Sequence, residues 1–326
     1  MNIIFTGTSS FALESLKALY ERDNYRILCV ITQPDKPVGR KKILTASKVK
    51  EYATSKNIPV FQPEKISCQK SIDYIKSEYS PDAFIVAAYG QKIPSELLYF
   101  TKIGAINVHG SVLPLLRGAA PIQHAIINGM RSTGVTTMMM NEGMDTGDIL
   151  LTRETVIKEN ETYGELSERL ADMGAGLLIE TLEGLSLGII KPKHQNDFFA
   201  TKAMSIKKED TYIDFSKSAF EVHNLIRGLC PKPFAICKYN DKIIKIISSK
   251  QSSKTDNNSD YGKVLSLSEK GIEIACGKGT LFIEKVHPEG GNQMSALDFA
   301  RGKEKIEDTF FKNISKTTST SPFYAK

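Results

Sequence analysis

The sequence predicts an α/β protein in two parts: a mainly parallel sheet with helices on both faces, followed by a small C-terminal β-barrel. Three observations carry that reading. Apolar strand-like runs alternate with helical patterns through about residue 130, as a parallel sheet wrapped in helices requires. From about residue 190 the alternation gives way to short strands with turns at roughly regular spacing, the pattern of a small barrel. The length, 326 residues, favours two domains over one.

Each element has its local reason. "NIIFTG" is a short buried strand that ends at Gly7, where a doubly wound fold of Rossmann-like type needs a tight turn. "SFALESLKALYERD" places apolar residues at helical spacing, and "YRILCVIT" is an apolar, β-branched second strand. A basic loop follows. Then come a polar helix in "ASKVKEYATSKN", a short extended piece in "IPVFQP", a helix in "SIDYIKSEY" and a strand in "DAFIVAAY". "GAINVH" is a further strand and "AAPIQHAIINGM" a helix. "GVTTMMMNEG" and "DILLTRETVI" are two strands around a tight loop, and "YGELSERLADMGAGLLIETLEGL" is a longer amphipathic helix. "KPKHQND" is a polar connector. "ICKYNDKIIKIISS" is a hairpin with Asn240-Asp241 at its tip, and "GKVLSLSEKGIEIACGKGTLFIEKV" holds three short strands. These signals set a first domain at 1–189, a linker at 190–206 and a barrel domain at 207–326.

Composition narrows the class. Apolar residues make up 41% and charged residues 25%, ordinary for a globular protein. No apolar run reaches the ~18 residues of a membrane span, and "MNIIFTGTSS" reads as a first strand rather than a signal peptide, so no membrane partner and a cytoplasmic location are expected. The five cysteines are scattered, with no C-x-x-C and no zinc-like spacing, so neither a disulfide framework nor a metal is expected. The net charge is +6, and its distribution says more. Residues 32–50 carry Lys36, Arg40, Lys41, Lys42, Lys48 and Lys50 against Asp35 alone, and residues 206–326 carry 20 basic and 15 acidic side chains. Two basic regions suit a polyanionic partner that touches both; a solvated lysine surface is the plain alternative.

The chemistry gathers in two places. Asn107 and His109 lie at i and i+2 on a strand, so both side chains share a face. At the C-terminal end of a parallel strand that face opens on the crevice where such folds bind ligands. Two hydrogen-bond donors converging on one point suit a developing oxyanion; the alternative is a pair of polar caps on a strand end. The loop "GMDTGD" at 143–148 adds two carboxylates at a tight turn. Asp148 is assigned to Asx-turn chemistry and Asp145 to orienting the histidine. A dinucleotide site after strand one fails on its glycine spacing.

Together, "INVHGSVLPLLRGAAPIQHAI" and "GVTTMMMNEGMDTGDIL" resemble the formyltransferases that use 10-formyltetrahydrofolate: Asn-x-His, then a Ser-Leu-Leu-Pro element, then Asp in a Gly-x-Asp-x-Gly loop. "TQPDKPVGR", "PVFQPE" and "VAAYGQKIP" narrow the resemblance to the branch that formylates methionyl initiator tRNA. The resemblance runs through most of residues 1–205 and continues weakly beyond. It implies Asn107, His109 and Asp145 as catalytic residues, and Ser111, Val112, Leu113 and Pro114 as the lining of the folate pocket. It implies Lys36, Arg40, Lys41 and Lys42 as a loop entering the acceptor end of the tRNA, with Arg40 at the key basic position. Lys207 and Lys208 would add contacts on an OB-like barrel. A monomer without metal is expected. Arg117 could face the cleft or solvent. Two departures show: Ser111-Val112-Leu113-Pro114 replaces one leucine by valine, and "CPKP" at 230–233 stands where the family carries a tryptophan-containing N-P-W-P-like segment. Formyl transfer to an amino-sugar nucleotide or a purine precursor would share the Asn/His/Asp core without needing either basic region. A tRNA-binding protein with an idle cleft would have no use for that trio.

Overall fold

The structure is a computed structural model that describes residues 1–39, 42–253, 260–302, 306, 307 and 309–314. It divides into two compact units: Met1–Pro121, Ser132–Thr155 and Ser167–Met204 in the first, and Ile122–Arg131, Val156–Leu166 and Ser205–Lys326 in the second.

The first unit is built on strands β1 (Asn2–Gly7), β2 (Arg26–Ile31), β5 (Val60–Phe61), β6 (Ala83–Ala87), β7 (Ala105–His109), β8 (Ser132–Met139) and β9 (Ile149–Val156). They form one seven-stranded sheet in the order β5-β2-β1-β6-β7-β8-β9. The pairs β1–β2, β1–β6, β2–β5 and β6–β7 are parallel and β7–β8 is antiparallel, so the mainly parallel sheet is as expected. The strand order reverses at β1, which places a topological switch between β1 and β6.

Helices α1 (Ser10–Tyr20), α2 (Lys48–Ser55), α3 (Gln69–Glu78), α4 (Ser95–Leu98) and α6 (Tyr163–Ser186) accompany this sheet, with α5 (Pro121–Ile127) between β7 and β8. The central strands are buried on both faces, with successive side chains going to opposite sides. Ile4, Phe84, Val86 and Ala105 pack with Ile72 and Ile75 of α3 and Leu97 and Leu98 of α4. On the opposite face, Gly174 lets α6 approach β7: a Cβ there would sit 2.9 Å from Val108 Cγ1. Asn107 and His109 alternate with Val108 and so share the face of Ala105. Gly7 serves packing, as a Cβ on it would lie 2.7 Å from Ala12 Cβ and 2.8 Å from Ala87 O.

The basic loop expected after β2 is a small antiparallel hairpin, β3 (Lys36–Val38) against β4 (Ile43–Thr45), with Lys36 opposite Thr45. Gly39 at +72° and Lys42 at +48° turn the chain through left-handed φ at its tip. Arg40 and Lys41 lie outside the described residues.

In the second unit, β10 (Ala235–Tyr239), β11 (Lys242–Gln251), β12 (Val264–Ser268), β13 (Gly271–Ala275), β14 (Thr280–Pro288) and β16 (Phe311–Lys312) form a sheet in the order β12-β13-β14-β11-β10-β16, with β15 (Met294–Ser295) beside β14. Asn240 and Asp241, both at positive φ, make the β10–β11 turn as expected. An antiparallel bridge between Lys263 and Phe310 joins the two ends of the order: Val264 N donates to Thr309 O and Phe311 N to Gly262 O, each at 2.9 Å. That bridge closes the sheet into the expected barrel. Helix α7 (Ala219–Gly228) starts from a capping box between Ser218 and Glu221, and α8 (Ala296–Arg301) from Ser295. Val222, Ile226, Phe299 and Phe311 fill a core with the inward faces of the strands. At the "CPKP" departure, the Cys230–Pro231 and Lys232–Pro233 bonds are cis, and Pro231 packs where a Cβ on Gly164 would lie, 2.8 Å away.

A cavity of about 230 Å³ in this unit is lined by Asn160, Thr162, His223, Arg227, Ser249 and Lys250. His223 is 2% exposed and pairs with the Ser249 hydroxyl through Nδ1 at 3.0 Å. Burial, reinforced by the nearby Arg227 charge, holds its pKa down at about 4. The unfolded chain therefore takes up a proton first as pH falls. The stabilisation is complete above about pH 6.5 and is lost progressively down to about pH 4. His223 should contribute up to about 3 kcal/mol to that loss. Urea unfolding between pH 7 and pH 4 should show a smaller decline in His223→Gln than in the parent; equal slopes would remove His223 as a cause.

Candidate active site

Strand β7 delivers the two expected polar residues to one place. Asn107 pairs in register with Val86 of β6 and Met138 of β8, and His109 with Thr136 of β8. Both side chains are buried, 8% and 5% exposed. Among the described residues, no hydrogen bond reaches the Asn107 side-chain amide. Its polar atoms are not among the sealed, unsatisfied ones, so they stay reachable from the cleft and free to meet a ligand.

His109 is held on both sides. Its Nε2 lies 3.0 Å from the Leu116 carbonyl, which can only accept, so Nε2 carries the proton in the neutral ring. Its Nδ1 faces Asp145 Oδ2 at 3.7 Å. That is beyond a good hydrogen bond, so the carboxylate faces the ring without a direct bond to it.

The loop between β8 and β9 places Asp145. Its φ is +54°, a left-handed backbone that costs a non-glycine residue roughly 1–2 kcal/mol. Contacts from outside the loop offset this. Gly118 N donates to Asp145 Oδ2 at 2.8 Å, and Gln195 Nε2 donates to the Asp145 and Gly147 carbonyls at 2.9 and 2.6 Å. Gly147 is required by space: a Cβ would sit 1.7 Å from the Met139 carbonyl oxygen. The Asx turn assigned to Asp148 belongs to Asn141, whose Oδ1 accepts from Gly143 N at 3.0 Å and Thr146 Oγ1 at 2.8 Å. Asp148 instead faces His194 at 3.1 Å on the surface, because the turn begins two residues after β8 rather than at its far end.

The segment 111–118 covers the histidine. Ser111 is fully buried; its hydroxyl donates to Leu115 O at 2.6 Å, and its own carbonyl accepts from Thr136 Oγ1 at 2.7 Å. Leu113 is buried too, while Val112 and Pro114 are half-buried. Leu116 and Gly118 take φ of +58° and +127°. Residues 195–203 brace this segment: Leu116 N donates to Thr201 Oγ1 and Arg117 N to Thr201 O, each at 2.8 Å. Arg117 points inward, not to solvent. Its Nε and Nη2 donate to Gln195 Oε1 at 3.0 and 2.8 Å, and Nη2 also pairs with Asp197 at 2.7 Å. Gln195 is 2% exposed, although its stretch reads as connector. Nothing in the polar run "KPKHQND" marks it for a buried role.

The basic candidates sit apart from this centre. Lys36 and Lys42 are exposed on the β3–β4 hairpin, with Lys36 Nζ donating to Gln33 Oε1. Lys50 is tied to Asp35 at 2.7 Å and Lys48 to Glu51 at 2.7 Å. The Lys50 and Gln62 contacts hold the Asp35 carboxyl below its usual pKa. Lys207 and Lys208, in the second unit, open the 3-10 turn Lys208–Thr211, where Lys207 N bonds Asp210. Among the described residues, no group of three or more His, Cys, Asp or Glu could hold a metal, and no helix is long and apolar enough to cross a membrane.

Comparison with known proteins identifies the family. Residues 1–182 match the profile described as formyl transferase, and residues 205–304 the formyl transferase C-terminal domain. The chain is 43% identical over 304 residues to the methionyl-tRNA formyltransferase of Clostridium novyi, covering 93% of this chain and 97% of that one. It is 41% identical over 313 residues to that of Desulfotalea psychrophila, covering 96% of each. Among solved structures it superposes on an N-formyltransferase from Helicobacter canadensis with TM-score 0.61 and 21% identity, covering 86% of this chain and 98% of that one. It also superposes on a methionyl-tRNA formyltransferase from Clostridium thermocellum with TM-score 0.54 and 18% identity, covering 85% and 100%. With residues 1–182 and 205–304 both matched and relatives above 40% identical over nearly the whole length, this chain belongs to the formyl transferase family.

Proposed function

We propose that the protein transfers a formyl group from 10-formyltetrahydrofolate to the α-amino group of methionyl initiator tRNA, giving formylmethionyl-tRNA for translation initiation in the cytoplasm. The observation that carries this is the unpartnered Asn107 amide beside a histidine that faces a clamped carboxylate. The names of the curated relatives support the acceptor.

The bound folate supplies an electrophilic formyl carbon. An α-amino group has a pKa of about 7.7–8.0, so a fair fraction of the attacking amine is neutral near pH 7.5 without help. What the protein must stabilise is negative charge on the formyl oxygen. The Asn107 amide donates to it directly. His109 Nε2–H, held by the Leu116 carbonyl, is the second donor once that carbonyl is exchanged for the formyl oxygen. Asp145 stabilises the ring when it takes up charge and helps pass the proton from the attacking nitrogen to the leaving one. Val112 and Pro114, half-buried beside this centre, line the folate side together with backbone groups of 111–114. The exposed hairpin lysines Lys36 and Lys42, with Arg40 and Lys41 between them in sequence, suit phosphates of a single-stranded tRNA end. Lys207 and Lys208 add positive charge on the second unit.

The direct assay incubates the protein with 10-formyltetrahydrofolate and charged initiator or elongator methionine tRNA, with an amino-sugar nucleotide as a third acceptor. Formyl-methionine on the initiator tRNA alone supports the reading; product only on the sugar refutes it. Replacing His109 or Asn107 by Ala should lower kcat by roughly 10²–10³, as for loss of an oxyanion donor, with tRNA affinity retained. Normal turnover by either variant would take that residue out of the mechanism. Neutralising Arg40, Lys41 and Lys42 together should weaken tRNA binding and flatten its dependence on salt. A salt titration that superposes on the parent curve would show that the hairpin does not hold the tRNA.

A further inference from the structure

We infer that Gln195 is a positioning residue for the transfer reaction: its side-chain amide, fixed in orientation by Arg117, holds the backbone of the Asp145 loop and so sets where the carboxylate meets His109. This rests on the proposed reaction, but it concerns a residue that touches neither the formyl group nor the acceptor.

Four hydrogen bonds define the arrangement. Arg117 Nε and Nη2 both donate to Gln195 Oε1 at 3.0 and 2.8 Å. A guanidinium cannot accept, so the oxygen must face Arg117 and the NH₂ must face away. That NH₂ then meets two carbonyls, those of Asp145 at 2.9 Å and Gly147 at 2.6 Å. The amide saturates its oxygen with one element and its nitrogen with another, in a site where Gln195 is 2% exposed. No other side-chain type of this size offers an acceptor and a two-hydrogen donor at once.

The bonded carbonyls belong to the residue that needs holding. Asp145 sits at φ +54°, and its Oδ2 is fixed by Gly118 N at 2.8 Å. Gly118 adjoins Arg117, whose own backbone is bound on both sides: Arg117 N donates to Thr201 O and Ala203 N to Arg117 O. The carboxylate is thus held from one strap at two points, by its side chain through Gly118 and by its backbone through Arg117 and Gln195. Asp197, 78% exposed, neutralises the remaining face of Arg117 at 2.7 Å.

Gln195→Glu separates this role from simple support of Arg117. A glutamate would strengthen the pair with Arg117 but would face the Asp145 and Gly147 carbonyls with an acceptor. If Gln195 served only Arg117, the variant would match the parent. The expected result is a fall in kcat on the order of 10²-fold, as for misplacement of a catalytic group by about 1 Å, with KM for folate and for methionyl-tRNA near parental values. Gln195→Met, which adds no charge, should show the same split. Parental kcat in either variant, or a rise in KM that accounts for the whole loss, would overturn the inference. Melting temperature is measured for both variants, and kcat is referred to the folded fraction, which keeps the test decisive if either is destabilised. An inactive parent protein would instead refute the proposed reaction, which keeps the two failures apart.

Discussion

The carboxylate of Asp145 can act on His109 only if a short hairpin loop is bent into a conformation that an aspartate disfavours. The surrounding structure can be read as the means of imposing that bend. Gly143 and Gly147 remove the Cβ atoms that would collide with Thr146 and with the Met139 carbonyl. Asn141 closes the turn with two hydrogen bonds, and Gln195 and Gly118 draw the loop toward segment 111–118. Local strain of about 1–2 kcal/mol at such a site persists only where neighbours over-determine it. Here the neighbours come from three separate stretches of chain. The left-handed residues Leu116 and Gly118 in the facing segment show the same economy: both loops spend conformational energy to bring their ends together.

Much of this was legible before any coordinates. The alternation of apolar runs exposes the sheet because buried parallel strands must be nearly all apolar. Residues 2–7 and 83–87 show it directly, with all but one of those residues buried. The i, i+2 spacing of Asn107 and His109 places them on one face by the geometry of a strand, and the structure has them there. The Asn240-Asp241 turn was visible through residue types that tolerate positive φ. What escaped the sequence is what depends on distant partners. Nothing near Gln195 marks it as buried, since its neighbours are lysine, histidine and aspartate; only Arg117, far away in sequence, makes its burial affordable. Asn141 and Asp148 could not be told apart because both are Asx residues at one loop, and which of them closes the turn depends on where β8 ends. Helix α4 is a single turn, too short to leave a period.

Charge tells a similar story at lower resolution. The excess at 32–50 counted six cations as equals. Lys48 and Lys50 are in fact tied to nearby carboxylates, so the charge presented to a partner concentrates on the hairpin itself. Exposed ion pairs of this kind add little stability. Their effect is to direct: positive potential is removed from the helix side and left on the turn. The exposed Ile43 and Leu44 beside it, 62% and 69% accessible, give the same hairpin apolar surface within reach of whatever the cations attract.

The barrel's closure carries a consequence for biosynthesis. The ring of strands is sealed by residues 309–311 against 262–264, and β16 also pairs with β10, so two edges stay open until the ribosome has released the segment around Phe311. The first unit's sheet needs nothing beyond β9 and can be assembled much earlier in elongation. The nascent chain therefore presents a finished sheet followed by an unzipped cylinder with bare backbone donors and acceptors along β10 and β12. That is the interval in which this chain is most open to pairing with a neighbouring polypeptide, and in which cellular folding factors have most to protect.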